Sequence, residues 1–415
     1  MILNHLRAGN QKNRIKWISS MVLAPSMNKS LFIDISCSQI WKTNQNTCGD
    51  VFLSKRFPKE RRVIAVLSDG LGSGIKANIL GQMTATMLLR YVEQGRDIEK
   101  AAEVIMDTLP ICRVRKISYS TFTVVDCHEN GSVVIVEEGN PGFVWMRNGV
   151  HMEAEPEIIV SKKFSTRKMH RYKINMLPDD RLIFCSDGVT QAGLGSPRLK
   201  GGWQRSGLIE YSKTLLLDNP ELTSKELARR ITLAATYKCM DNFVKDDTST
   251  AVLHVRTPRS VLVFTGPPFH MERDNEHSQR FIQFPGQKVI CGGTTANIVS
   301  RELNRKKETT MASGDLPGIS VMEGVDLVSE GILTLTRVLE YLENPPSKEI
   351  RDAAVSLASI FMENDCISFM VGAKMNQAYY DPEWPIELEI RKTVVRRIAN
   401  ILEEKYLKKV EIEFV

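Results

Sequence analysis

Residues Val63–Ala77 read VIAVLSDGLGSGIKA. An apolar run, Val63 to Leu67, passes through Ser68 into Asp69. Gly70, Gly72 and Gly74 then occupy alternate positions before a helical pattern opens. A short apolar run bounded by glycine predicts a buried strand, so a buried strand here ends on a carboxylate beside a glycine loop. Two phosphate-binding explanations fail. A P-loop needs GxxxxGK followed by Ser or Thr, whereas Ile75 separates Gly74 from Lys76 and Ala77 replaces the magnesium-binding hydroxyl. A dinucleotide fingerprint needs GxGxxG, and Gly70, Gly72 and Gly74 read GxGxG. What remains is a structural turn, or a metal site to which Asp69 brings a carboxylate oxygen and the glycines give close access. A metal site needs more carboxylates from elsewhere in the chain.

Working outward, aspartates recur at the ends of strand-like runs. Asp50 follows Gly49 and precedes VFL; RLIFCS (Arg181–Ser186) delivers Asp187-Gly188; Asp246 and Asp247 stand at the entry to STAVLHVR (Ser249–Arg256). Any one of these serves as a turn cap. Converging strand ends would gather them together, and a buried cluster of like charges is tolerable only around cations. Oxygen-only ligation selects magnesium or manganese over zinc. Two such ions about 4 Å apart can activate a bridging water and clamp a phosphoryl oxygen.

The chain has 415 residues, 42% hydrophobic and 25% charged, with a net charge of +6. That is globular material, long enough for two or three domains. The charge suits acidic or phosphorylated partners and does not call for nucleic acid. No apolar run is long enough to span a bilayer. The eight cysteines form no CxxC pair, which argues against structural zinc and a disulfide scaffold and fits a reducing, cytoplasmic setting. The histidines show no metal-ligand spacing. Residues 1–28 are basic and weakly patterned; the expectation is a disordered extension, with Met27 an alternative start to Met1.

Residues 29–256 predict one α+β unit. LFIDISCSQI, VIAVLS, KISYSTFTVVD, GSVVIVEEG, PGFVWMRNG, HRYKINM, DRLIFCS and STAVLHVR read as strands. Asn130-Gly131 and Asn148-Gly149 are hairpin signals. After the glycine loop, Ile75, Ile79, Met83 and Met87, with Leu80, Leu88 and Tyr91 beside them, predict the buried stripe of a helix. Asp97 predicts the start of a second helix, and Thr223 with Glu226 has capping-box spacing.

The ordered set CGD (Cys48–Asp50), DGLGSGIKA (Asp69–Ala77), GNPGFVWMRNG (Gly139–Gly149), LPDDRLIFCSDGVTQA (Leu177–Ala192) and DDTSTAVLHV (Asp246–Val255) resembles the PPM/PP2C-like serine/threonine phosphatases. More specifically, it resembles their SpoIIE branch. The resemblance spans residues about 30 to 256. It implies a β-sandwich of antiparallel sheets flanked by helices. It also implies two Mn2+ or Mg2+ ions held by Asp50, Asp69, the Gly70 carbonyl, Asp187 and Asp246, with Asp247 competing with Asp246 for the last position. The implied activity is removal of phosphate from phosphoserine or phosphothreonine in a bacterial regulatory protein, by attack of a metal-bridged hydroxide. Gly142 departs from the Pro or Ser common in the branch, and the loop after Asp187-Gly188 is short and basic, with Arg198, Lys200 and Arg205. The rivals are a non-catalytic signalling scaffold with the same fold and a phosphatase or phosphodiesterase of another class.

Beyond Thr257, strand-like runs alternate with helical ones, which predicts a three-layer α/β domain over residues 257–415. ISVMEGVD reads as one strand leading into a helix LVSEGILTLTRVLEYL, placing Glu323, Asp326 and Glu330 near one junction. Cys291-Gly292-Gly293-Thr294-Thr295 opens a helix, with Thr294 as a plain N-cap or the free amides as an anion site. The expected role is regulatory: binding a small anionic ligand or a partner protein.

Overall fold

The computed structural model describes residues 30–72, 74–108, 120–161, 167–239, 243–309, 320–344, 352–373 and 386–415. The N-terminal extension expected at 1–28 lies outside the described residues. The first half runs β1 (Phe32–Ile40), β2 (Asp50–Phe57), β3 (Arg62–Gly70), α1 (Gly74–Glu93), α2 (Ile98–Thr108), β4 (Ser120–His128), β5 (Ser132–Glu138), β6 (Val144–Arg147), β7 (Val150–Met152), β8 (Glu157–Val160), β9 (Lys168–Asn175), β10 (Arg181–Cys185), α3 (Asp187–Thr190), α4 (Gln204–Asp218), α5 (Ser224–Lys238) and β11 (Thr248–Arg256). Two antiparallel sheets form, in the orders β1-β11-β10-β6-β7 and β2-β3-β4-β5-β9-β8. The hairpin signals hold: Gly131 turns β4 into β5 at φ 90°, and Asn148 (φ 50°) with Gly149 (φ 74°) turns β6 into β7.

Strand alternation sorts the core. Ala65, Leu67, Val125, Phe184 and Leu253 fill the space between the sheets. Ile64, Val66 and Val124 point the other way, onto α1 and α2. Ile183 and Val252 point outward onto α4 and α5. The result is a sandwich with a helical pair on each outer face. Thr223 caps α5 as its spacing predicts, accepting the Glu226 amide at 3.2 Å.

The face of α1 is a correction. Ile75, Ile79 and Met83 are exposed at 70%, 51% and 51%, and the buried side carries Ala77, Gly81, Thr84, Ala85, Leu88 and Val92. The reason is close approach. A Cβ on Gly81 would lie 2.8 Å from the Gly49 carbonyl oxygen, and one on Gly70 only 1.9 Å from that of Ala77. Small residues let the first turns of the helix sit against the site loops, so Ile75, Ile79 and Met83 are turned to solvent, while Met87, Leu88 and Tyr91 of the expected stripe do pack in the core.

The second half runs β12 (Ser260–Thr265), α6 (Asp274–Ile282), β13 (Gln287–Cys291), α7 (Gly293–Leu303), β14 (Lys307–Thr309), β15 (Ser320–Met322), β16 (Val325–Ser329), α8 (Ile332–Glu343), α9 (Ala353–Glu363), β17 (Cys366–Val371), α10 (Ile386–Glu404) and β18 (Lys409–Phe414). The sheet order is β14-β15-β16-β13-β12-β17-β18, with β16-β13-β12-β17-β18 parallel and β14-β15-β16 antiparallel. Helices α6 and α7 cover one face and α8, α9 and α10 the other, giving three layers. ISVMEGVD is two strands rather than one. Gly324, at φ 77°, turns β15 back into β16, and Leu327 to Ser329 finish the strand instead of starting a helix. Of the acids expected at that junction only Glu330 is there; Glu323 lies in the turn and Asp326 accepts the Lys288 amide. Thr294 is not a cap either: Gly292 holds the N-cap of α7 without a side-chain hydrogen bond.

The halves are tied along a polar seam. The Arg56 guanidinium donates to the Ile33 carbonyl at 2.6 Å and the Leu407 carbonyl at 2.8 Å. Lys409 pairs with Glu129 at 2.6 Å. Asp365, fully buried, accepts from Arg256 and from the Arg259 amide. Among the described residues no helix is long and apolar enough to cross a membrane.

Candidate metal centre

The β2–β3 register places Asp50 directly opposite Asp69. Asp187 begins α3 immediately after β10, and Asp246 and Asp247 immediately precede β11, which is the neighbour of β10. Hydrogen bonds bring the sheets' ends together. The Ser249 hydroxyl donates to Asp50 Oδ2 at 2.6 Å and accepts from Gln39 Nε2 at 3.0 Å. The Ser186 amide donates to the Ser249 carbonyl at 3.0 Å. Asn78, on α1, donates to the Cys48 carbonyl at 2.7 Å and ties the helix to the loop before Asp50.

The electrostatics are those of crowded carboxylates. Burial, and then the charges of Asp247 and Asp187, push Asp50 up to about 7 against hydroxyl hydrogen bonds that pull it down. Burial, followed by Asp50, Asp187, Asp246 and Asp247, pushes Asp69 up to about 9. Asp187 is raised by burial and then by Asp246. Asp50 Oδ1 and Asp187 Oδ1 are buried without a hydrogen-bond partner, a state that carries a desolvation penalty of about 1–3 kcal/mol per group. Gln191, four residues after Asp187, holds its other oxygen at 2.8 Å.

Asp246 and Asp247 have different surroundings. Asp247 Oδ1 accepts the Lys42 amide at 2.9 Å and Oδ2 accepts the Gly49 amide at 2.7 Å, so this side chain clamps the loop that delivers Asp50. Asp246 is exposed, and its Oδ1 accepts the Asp247 amide at 3.0 Å. Beside it lies a small cavity of about 100 Å³, whose lining includes Gly188, Leu194, Phe243 and Lys245. The Gly70 amide donates to the Gly49 carbonyl at 3.3 Å, keeping the glycine loop against the Asp50 loop.

The donor set tests well against a hard divalent cation. All candidate ligands are oxygens, two of them orphaned and buried. Among the described residues no group of three or more Asp, Glu, His or Cys side chains forms a ready cage. Hard cations of this size keep several waters and take few carboxylates; what links these aspartates here is the Asp50–Asp69 register and their mutual electrostatic influence. Arg205, one of the basic loop residues, is already used: its guanidinium donates to the Phe143 carbonyl at 2.8 Å and props the β6 entry. Arg198 and Lys200 are exposed. Ser249, Ser186, Asn78 and Gln39 are the supporting residues that sequence reasoning missed. Only Gln191, at helical spacing from Asp187, carried a signal.

Residues 59–256 match the family described as Stage II sporulation protein E (SpoIIE). Among solved structures the chain is similar to the phosphatase domain of the cell fate determinant SpoIIE from Bacillus subtilis, with 16% identity over 55% of this chain and 94% of that one and a TM-score of 0.42. It is similar to the PP2C phosphatase domain with a fragment of the regulatory domain of the same determinant, with 18% identity over 55% and 65% and a TM-score of 0.46. It is also similar to RsbX in complex with magnesium, with 16% identity over 54% and 95% and a TM-score of 0.38. No curated protein sequence matches the chain. Residues 59–256 thus carry the match to the SpoIIE family, and together with β1 and β2 they build the two-sheet antiparallel sandwich flanked by helical pairs.

Proposed function

We propose that the chain is a metal-dependent protein serine/threonine phosphatase acting on a phosphorylated regulatory protein in the cytoplasm, with residues 257–415 as a regulatory or partner-binding domain. The observation that carries this is the pair of buried, unpartnered carboxylate oxygens, Asp50 Oδ1 and Asp187 Oδ1, within a ring of aspartates that raise one another's proton affinity. A site that stores this much repulsion is poised for divalent cations. Asp50, Asp69, Asp187 and Asp246, with the Gly70 carbonyl, would hold Mn2+ or Mg2+. When bound, such ions supply an activated water and neutralise phosphoryl charge.

The chain's own residues prepare the site. Ser249 fixes the Asp50 carboxylate, Gln191 fixes that of Asp187, and Asp247 holds the loop through its two amide bonds. The small cavity beside Asp246, with exposed Leu194 and Phe243 at its edge, offers an apolar shelf for residues flanking a phosphoserine. Exposed Arg198 and Lys200 nearby in sequence offer charge for an acidic partner.

The test is hydrolysis of p-nitrophenyl phosphate and of a phosphoserine peptide with Mn2+, Mg2+ or chelator, alongside calorimetric titration of Mn2+. Turnover that requires the cation and stops in chelator is expected. Undiminished turnover in chelator overturns the metal assignment. Cation binding with no hydrolysis of either substrate identifies a scaffold instead.

A further inference from the structure

At the end of the sandwich opposite the aspartates, β10 and β11 carry a second polar site. The face of these strands that packs on α4 and α5 is apolar at Ile183 and Val252. Two residues further along, the same face carries Arg181 and His254, which are direct partners across the strands, and Asp34 on β1 is the partner of His254 on its other side. The helical layer ends here, at Leu216 and Leu217 of α4 and at the Pro220–Thr223 turn. It leaves a cavity of about 490 Å³ that Thr257 and Arg259 of the interdomain linker help to line.

The cavity is built from buried polar groups. His254 is 6% exposed, and neither of its ring nitrogens has a hydrogen-bond partner. Arg181 is also 6% exposed; it braces the Leu222 and Asp179 carbonyls, and its Nε is left without a partner. Burial and the charges of Arg181, Arg256 and Arg259 hold the imidazole down to about 2. It is therefore neutral, with one nitrogen to donate and one to accept. Three guanidinium groups, Arg181, Arg256 and Arg259, share the lining with three carboxylates, Asp34, Asp179 and Glu221, and Asp179 stands 3.5 Å from His254 Nε2. Arg256 is engaged by Asp365, whereas the Arg259 side chain is 53% exposed and 3.9 Å from that carboxylate. Unpartnered buried polar atoms are destabilising unless something returns their hydrogen bonds.

We propose that this cavity binds a small organic phosphate carrying hydroxyl groups, of the class of sugar phosphates and nucleotides. The exposed guanidinium of Arg259, the one least engaged by protein partners of the three, suits the phosphate. Neutral His254 and the rim carboxylates of Asp179 and Glu221 suit hydroxyls. The volume falls in the range of small-ligand pockets, about 300–1,000 Å³. The occupant would brace the α4–α5 turn against the linker. It would also sit on the two strands whose far ends deliver Asp187 and Asp246. The proposal does not depend on the phosphatase assignment.

The experiment is calorimetry and thermal melting of the full chain in chelator, which takes the metal centre out of competition. The probes are ribose 5-phosphate, AMP, inorganic phosphate and ribose. A Tm rise and measurable binding with ribose 5-phosphate or AMP, and none with ribose, are expected. Arg259→Gln, at an exposed position, should weaken that binding by about tenfold or more, and His254→Gln should weaken it as well. If neither organic phosphate binds, or Arg259→Gln binds as the parent does, the proposal falls. Inorganic phosphate binding as tightly as the organic phosphates overturns the ligand class.

Discussion

Asp50 and Asp69 are direct partners across the antiparallel β2–β3 pair, two carboxylates facing each other at the end of a buried ladder. Like charges at such a position are destabilising, and here burial adds to the repulsion. Both groups are pushed up, Asp50 to about 7 and Asp69 to about 9. The fold tolerates the pair without a cation by keeping protons on it.

This sets a pH dependence for the metal-free chain. Between the ordinary value of 3.8 and the raised values of about 7 and about 9, the folded form holds protons that the unfolded form has lost. Stability from these groups is full below about pH 4 and falls as pH rises toward about 9. Thermal melts in chelator should show Tm declining across that window, and Mn2+ should raise Tm more at about pH 8 than at about pH 5.5. A Tm in chelator that rises steadily over the window contradicts the raised carboxylates.

Asp187→Asn keeps shape and removes a charge beside Asp246. Hydrolysis should fall by more than about a hundredfold and Mn2+ affinity should drop. The metal-free Tm should stay level or increase, because the repulsion is relieved. Wild-type turnover in this variant would make Asp187 a turn residue.

Asp246 and Asp247 should separate cleanly. Asp247→Ala strips the partner from the Lys42 and Gly49 amides and should destabilise the chain by about 2–5 kcal/mol in denaturant unfolding. Asp246→Asn, at an exposed position, should change stability by less than about 0.5 kcal/mol while weakening Mn2+ binding. The opposite pattern would exchange the two roles.

Asp365→Ala removes the fully buried carboxylate that binds Arg256 and the Arg259 amide at the junction of the halves. Loss of one partner from such a pair should destabilise the chain by about 3–5 kcal/mol. Limited proteolysis should then cut faster between Arg256 and Ser260. Unchanged cutting and unchanged unfolding would show that the seam contributes little.

Much of this was legible in the sequence. Most strands of both halves showed through their apolar runs and the glycines that bound them, although β2, β8 and β14 did not, and the ordered aspartate motifs pointed to the matched family. The α1 face was legible at Met87, Leu88 and Tyr91 but not in the first turns. Ile75, Ile79 and Met83 have the spacing of a buried stripe, but hydrophobicity cannot reveal that Gly49 and Gly81 demand small residues at the contact. ISVMEGVD was misjudged for a similar reason: one glycine at positive φ folded an apolar run into a hairpin.

The sequence by itself determined most of the element types and the list of acidic candidates, because periodicity, turn chemistry and motif order are local properties. Only the tertiary structure decided which aspartate clamps a loop and which stands exposed. It also decided which face of α1 is buried, and that Asp34, His254 and Arg181 form one row across three strands. Those outcomes depend on register and on close approach between segments as far apart as Lys42 and Asp247, and a linear pattern carries no record of which distant amide a carboxylate will meet.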